Sequence, residues 1–271
     1  MGHVNDAGES VKLENEGERR PIVKLIALDL DGTLLNPDSS ISEETIKQMR
    51  RLSENCCQIA IVTGNPYSVT LEHLIRNNIR TNDGFPQILI CNERDVFFLE
   101  GDRYRPWLPW NEEAYNKELS LLPSSRQVVK EIALAVKSKF HMSNDYMQND
   151  RGFLEIFYSS PERAKQACSH FAEALKGTKI KPVRNNALIA FRSEEIGKGL
   201  ILSMVADHLG LQVDEILAVG DCQNDVCMLL RFKAATTQNA DHRVKELVRQ
   251  RNGVVADSSY SSGVAEILAL F

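Results

Sequence analysis

Residues 23–35 read V-K-L-I-A-L-D-L-D-G-T-L-L. The run from Val23 to Leu30 is dense in Val, Ile and Leu, short, and ended by a turn signal. That is the pattern of a parallel strand buried on both faces. Ligand sites of open α/β sheets lie at the carboxyl ends of such strands, where Asp29 and Asp31 stand. Two carboxylates at i and i+2 cannot both stay in the pleat and face the core. The chain must leave the strand between them, and Gly32 permits that turn. Both side chains then reach one site, with Asp29 placed as nucleophile or metal ligand and Asp31 as proton donor. A turn of solvated carboxylates is the competing reading of the pentapeptide alone.

Outward from this strand the pattern repeats. SEETIKQMRRLSEN (42–55) has Ser42 as cap, acids in the first turn, and Ile46, Met49 and Leu52 on one face. QIAIVT (58–63) and QILIC (87–91) are further buried strands, with a helix between them capped by Asn65 and opened by Pro66. The βαβαβ order predicts a doubly wound parallel sheet. After about residue 92 the rhythm changes. DVFFLE (95–100) and RYRPWLP (103–109) read as a hairpin around Gly101-Asp102, followed by helices near 112–121 and 125–139. Strands at 152–159 and 187–192 flank a helix at 161–175, giving an α+β insert. The α/β rhythm returns with a helix at 197–211, a strand at 215–220, a helix at 224–232 and βα units near 234–250 and 253–270. The expected organisation is a mobile tail at 1–21, an α/β core from 22–91 and 193–271, and an α+β insert over 92–192.

Three further segments carry chemistry. Gly220-Asp221-Cys222-Gln223-Asn224-Asp225 places more acid at another strand end. With Asp29 it makes a hard, oxygen-lined site suited to Mg²⁺. Helix capping by Asp221 or Asn224 is the alternative, although it needs only one of them. Thr63-Gly64-Asn65 ends the second strand at a helix N-terminus, where a hydroxyl and free N–H groups can hold a phosphate oxygen. Lys198, between Gly197 and Gly199, begins a helix against its positive end. An anion or carboxylate cluster nearby would remove that conflict, and a solvated lysine is the plainer account.

The order D-x-D-G-T, T-G, G-K-G, G-D-x-x-N-D resembles the haloacid dehalogenase-like (HAD) superfamily, in particular its Cof-type and sucrose-phosphatase-like phosphatases. Their cap domain is inserted between the second and third motifs, as the insert here falls between Thr63 and Lys198. Asn239-Ala240, Val244-Lys245 and Gly263-Val264-Ala265 share the likeness. The resemblance implies that Asp29 attacks phosphorus and that Asp31 protonates the leaving oxygen, then activates water. It implies Mg²⁺ on Asp29, the backbone carbonyl of Asp31, and Asp221, supported by Asp225. Thr63, Gly64 and Lys198 would bind the phosphoryl group, with Asn224 assisting. Two departures stand out: Asn65 where relatives often carry arginine, and Gln238 where many carry glycine.

Composition narrows the partners. Lys+Arg 32 against Asp+Glu 37 gives a net charge of −5, which disfavours a general nucleic-acid or anionic-membrane binder. No apolar run approaches a membrane span, and the amino-terminal segment lacks the apolar core of a signal peptide. The six cysteines form no C-x-x-C pair, and Asn-x-Ser/Thr is absent, so a reduced, cytoplasmic setting is expected. The expected activity is Mg²⁺-dependent hydrolysis of a small phosphorylated metabolite, a sugar phosphate foremost, by a monomer or homodimer. A mutase or phosphotransferase on the same core and a non-catalytic regulatory paralogue are the competing functions. Substrate choice belongs to the insert, where Arg103, Arg105, Trp107, Trp110, His141, Asp145, Arg151 and Glu155 are suggestive. For the two tryptophans, hydrophobic packing is the plainer reading.

Overall fold

The computed structural model describes residues 23–140, 147–148 and 151–271. The expected tail, His141 and Asp145 lie outside the described residues. The chain runs β1 (Leu25–Leu28), α1 (Glu43–Glu54), β2 (Gln58–Val62), α2 (Tyr67–Arg76), β3 (Ile88–Cys91), β4 (Asp95–Glu100) and β5 (Arg103–Pro106). It continues through α3 (Trp110–Phe140), β6 (Met147–Gln148), β7 (Leu154–Phe157), α4 (Pro161–Ala174), β8 (Ile180–Asn185) and β9 (Leu188–Ser193). It ends with α5 (Lys198–Leu209), β10 (Ile216–Val219), α6 (Val226–Leu229), β11 (Lys233–Thr236), α7 (His242–Gln250), β12 (Val254–Val255) and α8 (Tyr260–Leu268).

The large sheet has the order β12-β11-β10-β1-β2-β3-β4-β5, and the six strands from β12 to β3 are parallel. Alternation explains why each strand reads as one apolar run. Ile26, Leu28, Ile59, Ile61 and Leu89 face a cluster with Met49, Leu74 and Ile267 from α1, α2 and α8. Leu25, Ala27, Ala60, Ile88 and Ile90 face the opposite cluster, with Ile201, Met228 and Val248 from α5, α6 and α7. Helices on both sides leave no face for polar residues, which is the doubly wound α/β arrangement. Ser42 caps α1 by accepting from the Thr45 N–H at 3.2 Å.

The hairpin expected in the insert belongs instead to the large sheet. β4 pairs antiparallel with β3, and β5 with β4. The reason is packing. Phe97 stacks on Tyr67 of α2 at 4.3 Å, while Phe98 meets Trp107 on the other face at 5.8 Å. Trp107 and Trp110 pack against the second core cluster, so they serve burial, and Arg103 and Arg105 are exposed on the sheet edge. The segment that leaves the large sheet therefore begins after Pro106, not at residue 92.

The second sheet has the order β6-β7-β9-β8 and is antiparallel. Its Ile156, Ile189 and Phe191 pack with Leu122 and Val129 of α3 and Phe171 of α4. Two helices expected near 112–121 and 125–139 are one, running through Pro123. Proline removes only its own donation to the carbonyl four residues back, on the turn of the exposed Leu119. β8 had no strand signal because Pro182 interrupts it. At the edge of the sheet, pairing only with β9, that missing N–H is tolerated. Among the described residues no helix is long and apolar enough to cross a membrane.

Candidate active site

Asp29 follows β1 directly, and its N–H donates to the Val219 carbonyl of β10 at 2.9 Å. Gly32 then turns at φ 84°, and a Cβ there would lie 2.6 Å from Asp221 Oδ2. Only glycine fits both the conformation and the close approach. The next hydroxyl, Thr33 Oγ1, donates to Asp221 Oδ1 at 2.8 Å, and Asn239 Nδ2 donates to the Gly32 carbonyl at 2.7 Å. The first acidic turn and the later one are thus bolted together across neighbouring strands.

Asp225 organises the later turn. Its Oδ2 accepts the N–H groups of Asp221 at 2.9 Å and Cys222 at 3.0 Å. Its Oδ1 accepts from Lys198 Nζ at 2.7 Å. Neither Asp221 nor Asn224 caps α6, so capping does not account for this cluster. Lys198 Nζ also donates to Asp29 Oδ1 at 2.5 Å. Lys198 and Asp225 are fully buried and Asp29 nearly so. The lysine at a positive helix end is therefore explained by two carboxylates rather than by solvent.

The charges do not balance. Carboxylate oxygens of Asp29, Asp221 and Asp225 lie within 4.8 Å of one another, with Lys198 as the bonded cation. Burial, then Asp225, pushes the Asp29 carboxyl well above its usual range, against the pull of Lys198. Burial and Asp225 raise Asp221 to about 6. Burial opposes charge on Lys198, but Asp225 and Asp29 outweigh it and keep the ammonium protonated. Crowded hard oxygens with surplus negative charge fit a divalent, oxygen-seeking cation such as Mg²⁺. Asp225, with both oxygens already engaged by the chain, suits a bracing position behind the other two.

Asp31 stands apart, exposed, and its Oδ2 accepts from Asn65 Nδ2 at 2.7 Å. Asn65 is not the cap of α2. Pro66 occupies that position and the helix begins at Tyr67, while the Asn65 side-chain amide donates to Asp31. Thr63 is buried at the end of β2, and its Oγ1 accepts from the Asn65 N–H at 3.0 Å. The Gly64 carbonyl accepts from Arg151 at 2.7 Å. Asn224 adjoins the cluster with Nδ2 donating to Glu93 Oε1 at 3.0 Å, and its buried Oδ1 has no partner among the described residues. Gln238 is exposed and its backbone is not left-handed, so glycine is not required there.

Beside this cluster, between the two sheets, lies a cavity of about 870 Å³ lined by Glu93, Lys181, Arg184, Asn224 and Asp241. Arg184 of β8 reaches Asp241 at 3.3 Å across it. Thr33, Glu93 and Asn239 escaped the sequence reading as site residues. Thr33 and Asn239 sat inside quoted motifs, but Glu93 has no signal, since a left-handed turn after β3 delivers it.

A family profile described as haloacid dehalogenase-like hydrolase matches residues 26–92 and 80–268. The chain belongs to this family of hydrolases. A phosphoglycolate phosphatase of Methanospirillum hungatei is 25% identical over 253 residues, covering 91% of this chain and 95% of the relative. The HMP-PP phosphatase of Escherichia coli K12 is 24% identical over 237 residues, covering 77% and 81%. Among solved structures, the sucrose-phosphatase from Synechocystis sp. PCC6803, in complex with sucrose and phosphate, shares the fold. Its TM-score is 0.64 at 16% identity, with 93% of this chain and 98% of that one covered. A haloacid dehalogenase-like hydrolase from Bacteroides thetaiotaomicron gives 0.63 at 18% identity, with 92% and 100% covered.

Proposed function

We propose that the protein is a Mg²⁺-dependent phosphatase that hydrolyses a small phosphorylated metabolite, a sugar phosphate foremost, through an aspartyl-phosphate on Asp29. The observation that carries this reading is Lys198, bonded to Asp29 and Asp225 within a buried carboxylate cluster at the strand ends. The names of the two curated relatives support a small phosphorylated substrate.

Asp29 attacks phosphorus as the ester bond breaks, and Asp31 gives its proton to the departing oxygen. Asp31 then takes a proton from water, which attacks the acyl phosphate and frees Asp29. Its exposure and its bond to a neutral amide, Asn65, support this role. The Thr63 hydroxyl, the Gly64 N–H and Lys198 hold the transferring oxygens, with Asn224 assisting at the margin. Asp29, Asp221 and the Asp31 carbonyl, backed by Asp225, would hold Mg²⁺, which would supply the charge that offsets repulsion between nucleophile and phosphate. The segment after Pro106, up to β9, acts as a cap, and the cavity lined by Lys181 and Arg184 takes the rest of the substrate.

Phosphate release from a metabolite panel, with Mg²⁺ and with a chelator, tests the reading. Release should need Mg²⁺ and disappear in Asp29→Asn. Normal turnover by that variant would sink the nucleophile assignment. An isomerised sugar phosphate without free phosphate would favour the mutase alternative.

A further inference from the structure

The Thr63–Gly64–Asn65 turn presents successive carbonyls, each bound by a different donor. The Glu93 N–H takes the Thr63 carbonyl at 2.9 Å, and the Asn92 N–H takes that of Asn65 at 2.8 Å. Both donors come from the large sheet and are aimed by left-handed backbone, φ 53° at Asn92 and 52° at Glu93. The middle carbonyl, Gly64, is bound by Arg151 Nη1 at 2.7 Å. Arg151 lies in the turn that leads into β7 of the other sheet. Its Nη1 also reaches Asn92 Oδ1 at 3.2 Å, its Nη2 bonds Glu155, and its guanidinium lies 5.2 Å from the Phe153 ring. Glu155 alone would satisfy the charge. The bonds to Gly64 and Asn92 do something else: they fix the turn from outside.

What the turn carries decides what that fixation is for. Thr63 Oγ1 accepts from the Asn65 N–H, and Asn65 Nδ2 holds Asp31 Oδ2 at 2.7 Å. A planar guanidinium holds its acceptors in fixed directions, so a docked Arg151 fixes Gly64, and Gly64 fixes its neighbour Asn65. We propose that Arg151 is a positioning residue: the docked second sheet, through Arg151, Gly64 and Asn65, aligns Asp31 for proton transfer to the leaving group. This rests on the phosphatase reading with Asp31 as the acid. Proton transfer is then efficient only when the two sheets are engaged around a substrate.

The test compares 4-nitrophenyl phosphate, whose leaving group needs little proton donation, with glucose 6-phosphate, whose alkoxide needs it. General-acid assistance contributes on the order of 10²–10⁴, so partial misalignment in Arg151→Ala should lower kcat roughly 30-fold or more on the sugar ester. The loss on the aryl ester should be several times smaller. Arg151→Lys should recover part of the difference, because it offers a cation without the fork. Asn65→Ala should show the same leaving-group signature, and the double variant should be no worse than the worse single one. Equal losses on both esters, or a change confined to KM, would overturn the proposal. Amide hydrogen exchange at Asn65 and Asn92 gives a reading independent of turnover. It should quicken in Arg151→Ala, and unchanged exchange also overturns the proposal. Quickened exchange in a protein whose wild type releases no phosphate would keep Arg151 as the brace of this turn, reject its alignment of an acid, and sink the phosphatase reading.

Discussion

Lys198 Nζ lies 2.7 Å from Asp225 Oδ1, and both side chains are fully buried. The same ammonium also bonds Asp29, so one cation serves two carboxylates and the cluster of Asp29, Asp221 and Asp225 keeps a surplus of negative charge.

Lys198→Met should therefore be destabilising as well as inactive. Removing one partner of a buried pair costs about 3–5 kcal/mol, because the charge left behind is uncompensated. Urea denaturation without divalent cations reads the loss. Turnover should fall by ~10² or more, the scale for losing one preorganised charge at a transferring phosphoryl group. A variant of wild-type stability would mean that the carboxylates are already neutral in the metal-free protein.

The acidic cluster should make stability depend on pH. Asp221 rises from an ordinary 3.8 to about 6 in the folded protein, and Asp29 also rises. The native state then binds more protons than the unfolded chain in this range, so stability falls as pH increases. The Asp221 contribution is fully present below about 4 and is lost as pH passes 6, and Asp29 acts in the same direction. Mg²⁺ favours the ionised forms, so the Tm difference between metal-loaded and metal-free protein should widen over that window. Asp221→Asn should flatten the metal-free profile. Differential scanning fluorimetry from pH 4 to 7.5 checks this, and a constant Tm difference would contradict it.

Gly32→Ala should strike the site through the backbone. A left-handed conformation costs a non-glycine residue about 1–2 kcal/mol, and the new methyl would lie 2.6 Å from Asp221 Oδ2. Either the turn or Asp221 must move. Turnover should fall ~10²-fold, as expected when catalytic groups are displaced by about 1 Å, and Mg²⁺ affinity should weaken in calorimetry. Thr33→Val, which removes only the hydroxyl bond to Asp221, should be milder in both measurements.

A fourth prediction concerns the joint between the sheets. Glu118 of α3 accepts from Arg94 at 2.8 Å and from Arg192 of β9 at 2.7 and 2.9 Å, all three residues being buried. Glu118→Ala removes both of Arg192's hydrogen bonds to this carboxylate, while Arg94 keeps its pair with Asp95, so unfolding free energy should drop by roughly 3–5 kcal/mol in chemical denaturation. Glu118→Gln, which keeps an acceptor, should lose less. Equal losses would assign the whole effect to the carboxylate charge, since glutamine keeps the packing that alanine removes.

The core was legible because its strands are buried on both faces, so VKLIAL, QIAIV and ILAV announce themselves as apolar runs ended by turn residues. Asp29 and Asp221 were legible for a related reason: each stands just past the end of a strand, with Asp225 one turn beyond, and parallel strands stop on one side. The sheet that the hairpin joins was not legible, because its local pattern is that of any hairpin. Only the long-range contacts of Phe97 and Phe98 say which edge it joins. Asn65 looked like a cap because asparagine before proline usually is one, and no local signal marks the partner 34 residues away. Glu93 and Arg151 were beyond reach in their present roles, since each depends on a turn or a docking that spacing does not encode.

The hairpin β4–β5 also determines how the sheet meets its surroundings. Without it β3, wholly apolar, would form the edge, with unpaired N–H and carbonyl groups open to another chain. β5 closes that side with Arg103, Arg105 and Pro106 on an exposed strand, and the opposite edge, β12, spans only Val254–Val255. Charge, proline and brevity are the means by which sheets avoid pairing with copies of themselves. Neither edge of the large sheet therefore offers a long, uncharged strand on which a neighbouring chain could add its own.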